Sequence, residues 1–264
     1  MSTRPRIYRT EAVVLRRMDL GETDRLLTLL TPDAGKLRAI AKGVRRPGSR
    51  KAGHLEPFCR TRLLLARGRQ LDIITQAEAV DLFDGLGQDL ERLGAAAHLV
   101  ELIDRFTVEE TGSHAVYDLL VSALGLLSRG ADLSTVSRYY ELRLLDLVGF
   151  RPELFHCVSC RREIQAEDQF FASGEGGVLC PACGRRHERV ARLPLAVLKV
   201  LRHYQRHPYE LATAAAIRPQ VLAQLEDLME AHLTYLAERK LNAPHFLRTI
   251  RALPKARVDN DATA

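Results

Sequence analysis

The sequence predicts a multi-domain α+β protein: a small five-stranded β-barrel, then an all-α domain interrupted by a four-cysteine zinc knuckle. Three observations carry this expectation. Short β-branched apolar runs fill the first 80 residues, a helical apolar period takes over after Leu82, and two Cys-x2-Cys pairs interrupt that period.

The β region reads in order. Residues 7–17 carry Ile7, Thr10, Val13 and Val14 and end near Gly21. Residues 25–31 form a second apolar run, closed by the turn signal Pro32-Asp33-Ala34-Gly35, and residues 36–44 follow at once as the return arm of a hairpin. Residues 45–53 are a polar loop that cannot pack a core. Residues 58–66 and 71–79, joined by Arg67-Gly68-Arg69-Gln70, complete a five-strand set. The commonest five-stranded solution at this size is the OB-fold.

Beyond Leu82, Leu90, Leu93, Ala97, Val100, Ile103 and Phe106 recur at three- and four-residue steps and mark one helix face. Residues 116–127 and 136–148 predict two more helices, with Gly130 and Gly149 where helix C-terminal glycines belong. Residues 195–204 and 221–240 repeat the pattern, with Pro219 suited to a first helical turn. The expected division is an OB-fold nucleic-acid-binding domain at 1–80, a helical domain in two parts at 81–150 and 193–250, a zinc-binding insert at 151–192, and a flexible tail at 251–264.

The insert holds Cys157-x2-Cys160 and, after 19 residues, Cys180-x2-Cys183. Two residues between cysteines let both thiolates of a pair reach one ion from a tight turn, and a second turn completes the tetrahedron that zinc prefers. Residues 169–172 and 174–179 are placed to form a hairpin presenting the second turn. Two disulfides, or a redox Cys-x2-Cys, are the alternatives. Four thiolates close the shell, so one structural Zn2+ is expected, with His156 and His187 as bystanders. Cys59 lies in a strand as a small buried hydrophobe.

Charge is uneven. The chain has a net charge of +6, yet residues 1–80 alone hold 17 Lys/Arg against 8 Asp/Glu, a net of +9. The remainder holds 22 against 25, a net of −3. A basic module on a mildly acidic body points to a polyanion, most often nucleic acid; the alternative is a solvated basic surface. Residues 36–44 alternate so that Lys36, Arg38 and Lys42 share one face with Ile40, opposite Leu37, Ala39 and Ala41. Arg45, Arg46, Arg50 and Lys51 follow in the loop, Arg60 and Arg62 share a face of the fourth strand, and Arg16 and Arg17 close the first. These eleven cations are the candidate nucleic-acid contacts. Tyr8 and Phe58 are the module's only aromatics, so binding should be electrostatic and salt-sensitive, with little base stacking.

Catalytic signatures are not evident. There is no Walker-type loop, no Gly-x-Gly-x-x-Gly after a strand, no carboxylate cluster of the nuclease kind and no local nucleophile motif, so a non-enzyme is expected. No apolar run reaches membrane-spanning length and no apolar signal core follows the basic residues 1–6, which leads to the expectation of a cytoplasmic protein.

Residues 21–31, Gly35-Lys36, residues 41–46 and His54-Leu55-Glu56-Pro57-Phe58 together resemble the start of the bacterial RecO family. The resemblance continues through Tyr140-Glu141-Leu142-Arg143-Leu144-Leu145, Gly149-Phe150-Arg151-Pro152, the first cysteine pair, and Gly176-Gly177-Val178-Leu179-Cys180-x2-Cys183. It implies an N-terminal OB-fold, a helical domain and a zinc-binding insert. It also implies a recombination mediator of the RecF pathway of DNA repair that binds single- and double-stranded DNA and anneals complementary strands without ATP. The partners it implies are RecR and the acidic tail of single-stranded DNA-binding protein, with RecA loaded as the outcome and association with the nucleoid during repair. An RNA-binding OB-fold and zinc-knuckle protein without annealing activity is the alternative.

Overall fold

The computed structural model describes residues 6–109, 111–214, 216–238 and 241–252. Strands β1 (Ile7–Leu20), β2 (Asp24–Thr31), β3 (Gly35–Ala41), β4 (Arg60–Ala66) and β5 (Asp72–Asp81) close into a barrel in the order β1-β2-β3-β5-β4. Every neighbouring pair is antiparallel except β3 and β5, which run parallel through Ala39↔Asp72 and Ile40↔Ile73. This is the expected OB-fold topology. Alternate residues fill the barrel, among them Ala12, Val14, Leu27, Leu29, Leu63, Leu65 and Ile74.

The run Ala12-Val13-Val14-Leu15 is buried on both faces of β1. Ala12 and Val14 point into the barrel, while Val13 and Leu15 join Leu30 in the core of the helical part. An uninterrupted apolar run in a strand is what burial on two sides requires. The register of β1 against β2 shifts between Val14 and Arg16, at the end of that contact, as a bulge does.

The helical part begins with α1 (Leu90–Phe106), α2 (His114–Ser128) and α3 (Leu133–Leu147). Each has a side-chain N-cap: Asp89 accepts from the Glu91 N–H, Ser113 from Val116 and Asp132 from Thr135. Gly130 and Gly149 follow α2 and α3 at φ of +90° and +86°, where a side chain would be strained. The insert holds β6 (Gln169–Ala172), β7 (Gly177–Leu179), the single-turn α4 (Pro181–Gly184) and β8 (Ala191–Leu193), in a sheet ordered β7-β6-β8. Then come α5 (Leu195–Arg206), α6 (Tyr209–Ala212), α7 (Pro219–Leu236) and α8 (Asn242–Ala252).

Several boundaries move for physical reasons. β3 stops at Ala41 because Gly43, at φ +64°, turns the chain away. β4 starts only at Arg60 because Phe58 adopts φ +70°. Helix α8 and strand β8 are additions. The N-terminal N–H groups of α8 are satisfied from a distance, by the Glu101 carboxylate, which accepts from Asn242 and Ala243 at 2.8–3.0 Å. Leu247 then lies over Gly94 of α1, where a Cβ would meet it. Of the expected flexible tail, Arg251 and Ala252 end α8, and residues 253–264 lie outside the described residues.

The barrel is keyed to the helices at the β2–β3 turn. A Cβ on Gly35 would overlap the Thr111 carbonyl, and one on Gly112 would overlap that of Asp33. Neither position tolerates a side chain without moving the α1–α2 connector off the turn.

One buried titratable group in this core generates a prediction. His232 on α7 is 1 % exposed, sits edge-on to Phe171 at 5.0 Å, and has no partner for either ring nitrogen among the described residues. Burial pushes it down to about 4. The unfolded chain therefore takes up this proton first, and stability conferred by neutral His232 is full above the ordinary histidine range and is lost as pH falls towards 4. We expect His232→Leu to abolish about 2 kcal/mol of the destabilisation seen between pH 7 and pH 5, read from urea melts at both values. Equal pH sensitivity in the two proteins would refute this.

Candidate functional site

The structure sorts the eleven candidate cations by what already holds them. Lys36 is 8 % exposed, and its Nζ donates to the Asp104 carbonyl at 2.7 Å and carboxylate at 3.1 Å, in the last turn of α1. It faces the helices and not solvent, so the expected row of Lys36, Arg38 and Lys42 on one open face is not formed. Arg16 lies 3.9 Å from the same carboxylate, and Arg38 pairs with Glu109 of the α1–α2 connector at 3.3 Å. Arg60 and Arg62 converge on Glu11 at 2.6 and 3.3 Å, and Arg62 also reaches Glu78.

A second group is tied within the barrel. Arg17 and Arg25 share Glu56. Arg45 donates to the Gly21 carbonyl at 3.0 Å and pairs with Asp19 at 3.4 Å. Lys51 donates to the carbonyls of Lys42 and Ile74 at 3.0 and 3.2 Å, and burial pushes its ammonium below the usual lysine range. Lys51 thus clips the loop to β5.

Lys42, Arg46 and Arg50 remain. Among the described residues their side chains make no hydrogen bond or ion pair, and all three are exposed. The loop that bears them is anchored at its entry by Asp24, which accepts from the Gly43 N–H at 2.8 Å and the Thr23 hydroxyl at 2.9 Å. Those bonds, the first the stronger, hold the Asp24 carboxyl below its usual range, with Lys42 and Arg46 adding to the effect. The place of Asp24 beside Gly43 depends on β2–β3 pairing, a contact that no local sequence signal marks.

Neither aromatic of the barrel is an open stacking platform. The Tyr8 hydroxyl donates to Asp72 while Arg67 covers its ring at 4.7 Å, and Phe58 packs onto the helical core.

The four insert cysteines converge. The Sγ atoms of Cys157, Cys160, Cys180 and Cys183 all lie within 4.8 Å of one another and could hold a metal ion. Two tight turns bring them there. Arg161 donates its N–H to the Cys157 carbonyl at 2.9 Å, and Gly184 to that of Cys180 at 2.8 Å. The β6–β7 hairpin presents the second turn, with Gly184 against the Phe170 ring.

Burial alone would raise the Cys157 thiol, but backbone N–H groups of Cys160, Cys180 and Ser159 outweigh it and lower the thiol to about 6. Cys183 is favoured as a thiolate by Ser159, yet the sulfurs of Cys180 and Cys160 push it up to about 11. Four sulfurs this close cannot all ionise without a cation among them, and a soft divalent ion is the group that such a donor set fits. His156 and His187 stand outside the cluster, near Glu153 and Glu175. Cys59 is 1 % exposed, and burial raises its thiol to about 11.

The insert is not a free-standing finger. Leu154, Ile164, Phe171, Val178, Leu179 and Leu193 belong to the same core as the helices. Among the described residues no helix is long and apolar enough to cross a membrane.

Comparison with known proteins agrees with this architecture. Residues 1–83 match the family described as "Recombination protein O N terminal", and residues 87–245 match "Recombination protein O C terminal". A DNA repair protein RecO from Roseiflexus sp. is 41 % identical over 95 % of this chain and 88 % of its own length. One from Desulforudis audaxviator is 38 % identical over 91 % of this chain and 96 % of its own, and one from Dehalococcoides mccartyi is 33 % identical over 94 % and 98 %.

The cysteine geometry sets an expectation. Metal removal by a chelator, or Cys157→Ser, should speed amide exchange across β6, β7 and β8 and lower the melting temperature, while β1–β5 amides stay protected. Unchanged exchange in the insert would show that the cluster holds nothing together.

Proposed function

The chain belongs to the recombination protein O family, whose relatives here are DNA repair proteins, and on that premise we propose that it is a recombination mediator of the RecF pathway. In this reading it binds single- and double-stranded DNA and anneals complementary strands without ATP. With RecR it helps load RecA onto strands coated by single-stranded DNA-binding protein, whose acidic tail it engages. It works in the cytoplasm, at the nucleoid during repair. The family resemblance supports these partners.

One observation carries the DNA contact: the anchored 42–51 loop holds Lys42, Arg46 and Arg50 exposed and unpaired on an OB-fold barrel. Phosphates replace counterions at such groups, and neutralised phosphates no longer hold two strands apart. Arg16, Arg17, Arg38, Arg45, Arg60 and Arg62 reinforce the field from positions already paired with carboxylates. Catalysis in the covalent sense has no part in this mechanism; positioning and charge perform it. One Zn2+ at Cys157, Cys160, Cys180 and Cys183 braces residues 151–192. A shell of four thiolates leaves no place for substrate.

Lys42→Glu/Arg46→Glu/Arg50→Glu should leave circular dichroism unchanged while weakening single-strand binding at least tenfold at low salt and slowing annealing of complementary oligonucleotides. The slope of log affinity against log salt should fall by about 2, from three phosphate contacts at roughly 0.7 each. Wild-type affinity and annealing in the triple variant would reject the assignment. A preference for RNA without annealing would favour the RNA-binding alternative.

A further inference from the structure

The four sulfurs of the insert are not equally sheltered. Cys157 is 0 % exposed and its sulfur accepts from the Cys180 N–H at 3.4 Å, whereas Cys160, Cys180 and Cys183 are only half-buried. Two of the open ones are neighbours: the Sγ atoms of Cys160 and Cys180, one from each turn, lie 3.8 Å apart. Cys183, the third, is engaged by the Ser159 hydroxyl. The residues flanking these turns are cationic. Arg161 and Arg162 follow Cys160, Arg185 and Arg186 follow the turn of Cys183, and all four are exposed. Among the described residues none of their side chains makes an ion pair or a hydrogen bond. Cys59 has the opposite setting: burial raises its thiol, and the charges of Asp81, Glu56 and Asp84 add to that effect.

We propose that the knuckle is a peroxide-responsive site, at which Cys160 and Cys180 are oxidised to a disulfide and the metal is given up. Reactive cysteines combine access, a cationic neighbourhood and a second thiol within reach, and buried ones are inert. Cys160 and Cys180 meet all three conditions, Cys157 lacks access, and Cys59 meets none. Peroxide is the one added reactant. The Cys160 sulfur attacks a peroxide oxygen, the O–O bond breaks and hydroxide leaves, giving a sulfenic acid. The Cys180 sulfur attacks that of Cys160, an S–S bond forms, the S–O bond breaks and a second hydroxide leaves. The two sulfurs have lost two electrons and one peroxide has gained them. Disulfide sulfurs are poor ligands, and the remaining Cys157 and Cys183 cannot close a tetrahedron by themselves.

The change stays local and can be reversed. Phe171, Val178 and Leu179 of the β6–β7 hairpin remain in the main core, and the new bond ties the same two turns that the ion had joined. A thiol reductant returns both sulfurs, and the shell can refill. A metal shell and a disulfide, alternatives for this spacing, are then two states of one site. This rests on the metal reading above and not on the DNA contact. It turns the insert from a permanent brace into one whose staple responds to oxidant.

The test uses the full-length, zinc-loaded protein, with its metal content measured first. One equivalent of hydrogen peroxide per chain, followed with a chromogenic zinc indicator, should release about one zinc ion per disulfide formed. Peptide mapping without reductant should show Cys160 joined to Cys180. Dithiothreitol with added zinc should restore the starting metal content, and Cys59→Ser should release zinc at the wild-type rate. Retention of zinc in a large excess of peroxide overturns the proposal. So do a first disulfide between other cysteines, zinc loss that reductant does not reverse, or slower release from Cys59→Ser. Zinc that is held but insensitive to peroxide refutes the switch alone. Protein that takes up no zinc refutes the metal reading, and the switch with it.

Discussion

An ammonium group that leaves water needs an anion and oriented carbonyls in fixed places, and Lys36 meets both at the last turn of α1. The C-terminal end of a helix favours a cation there, and Asp104 supplies the full negative charge. Around this pair the barrel has one seat. Val13, Leu15 and Leu30 enter the helical core, Gly35 and Gly112 let two backbones touch, and Arg38 meets Glu109 beside them. On the outer side of β3, Lys36 is buried against α1, while Arg38 stays exposed and pairs with Glu109 of the connector. Of the eleven candidate cations, those without a partner among the described residues lie on the loop beyond Ala41.

That seat explains why formal charge overstates the binding surface. A net of +9 in 80 residues suggests a continuous cationic face. Among the described residues eight of the 17 cations are matched by Glu11, Asp19, Glu56, Glu78, Asp104 and Glu109, and an arginine already paired releases little counterion when phosphate arrives. What matters is the number of cations without an internal partner and the rigidity of the segment that bears them. By that measure the 42–51 loop, fixed by Asp24 and Lys51, stands apart from the rest of β1–β5.

The knuckle also differs from an independent metal finger. Its sheet places Phe171, Val178 and Leu179 in the main core, and Phe171 meets the ring of His232 on α7. The sulfurs secure the two turns at the outer end of this sheet, and apolar packing secures its inner face. A metal ion held by the four sulfurs would act on the same hairpin as the apolar core, a coupling that a finger tethered only by its chain would lack.

The sequence by itself determined the elements whose signals are local. Period-two and period-four patterns placed five strands and the longer helices, Gly130 and Gly149 marked helix ends, and the cysteine spacing named four sulfurs that do converge. Ligand spacing is legible because each tight turn is built from adjacent residues. Tertiary structure decided whatever depended on a partner far along the chain. The start of α8 is capped by Glu101, some 140 residues earlier; β8 is three residues that acquire meaning only beside β6; and Asp24 becomes an anchor only when β3 returns next to it. Above all, a row of basic residues says how many charges exist but not which carboxylates will meet them. Lys36 and Lys42 are the same residue type six positions apart, and only the position of α1 buries the first and leaves the second to solvent.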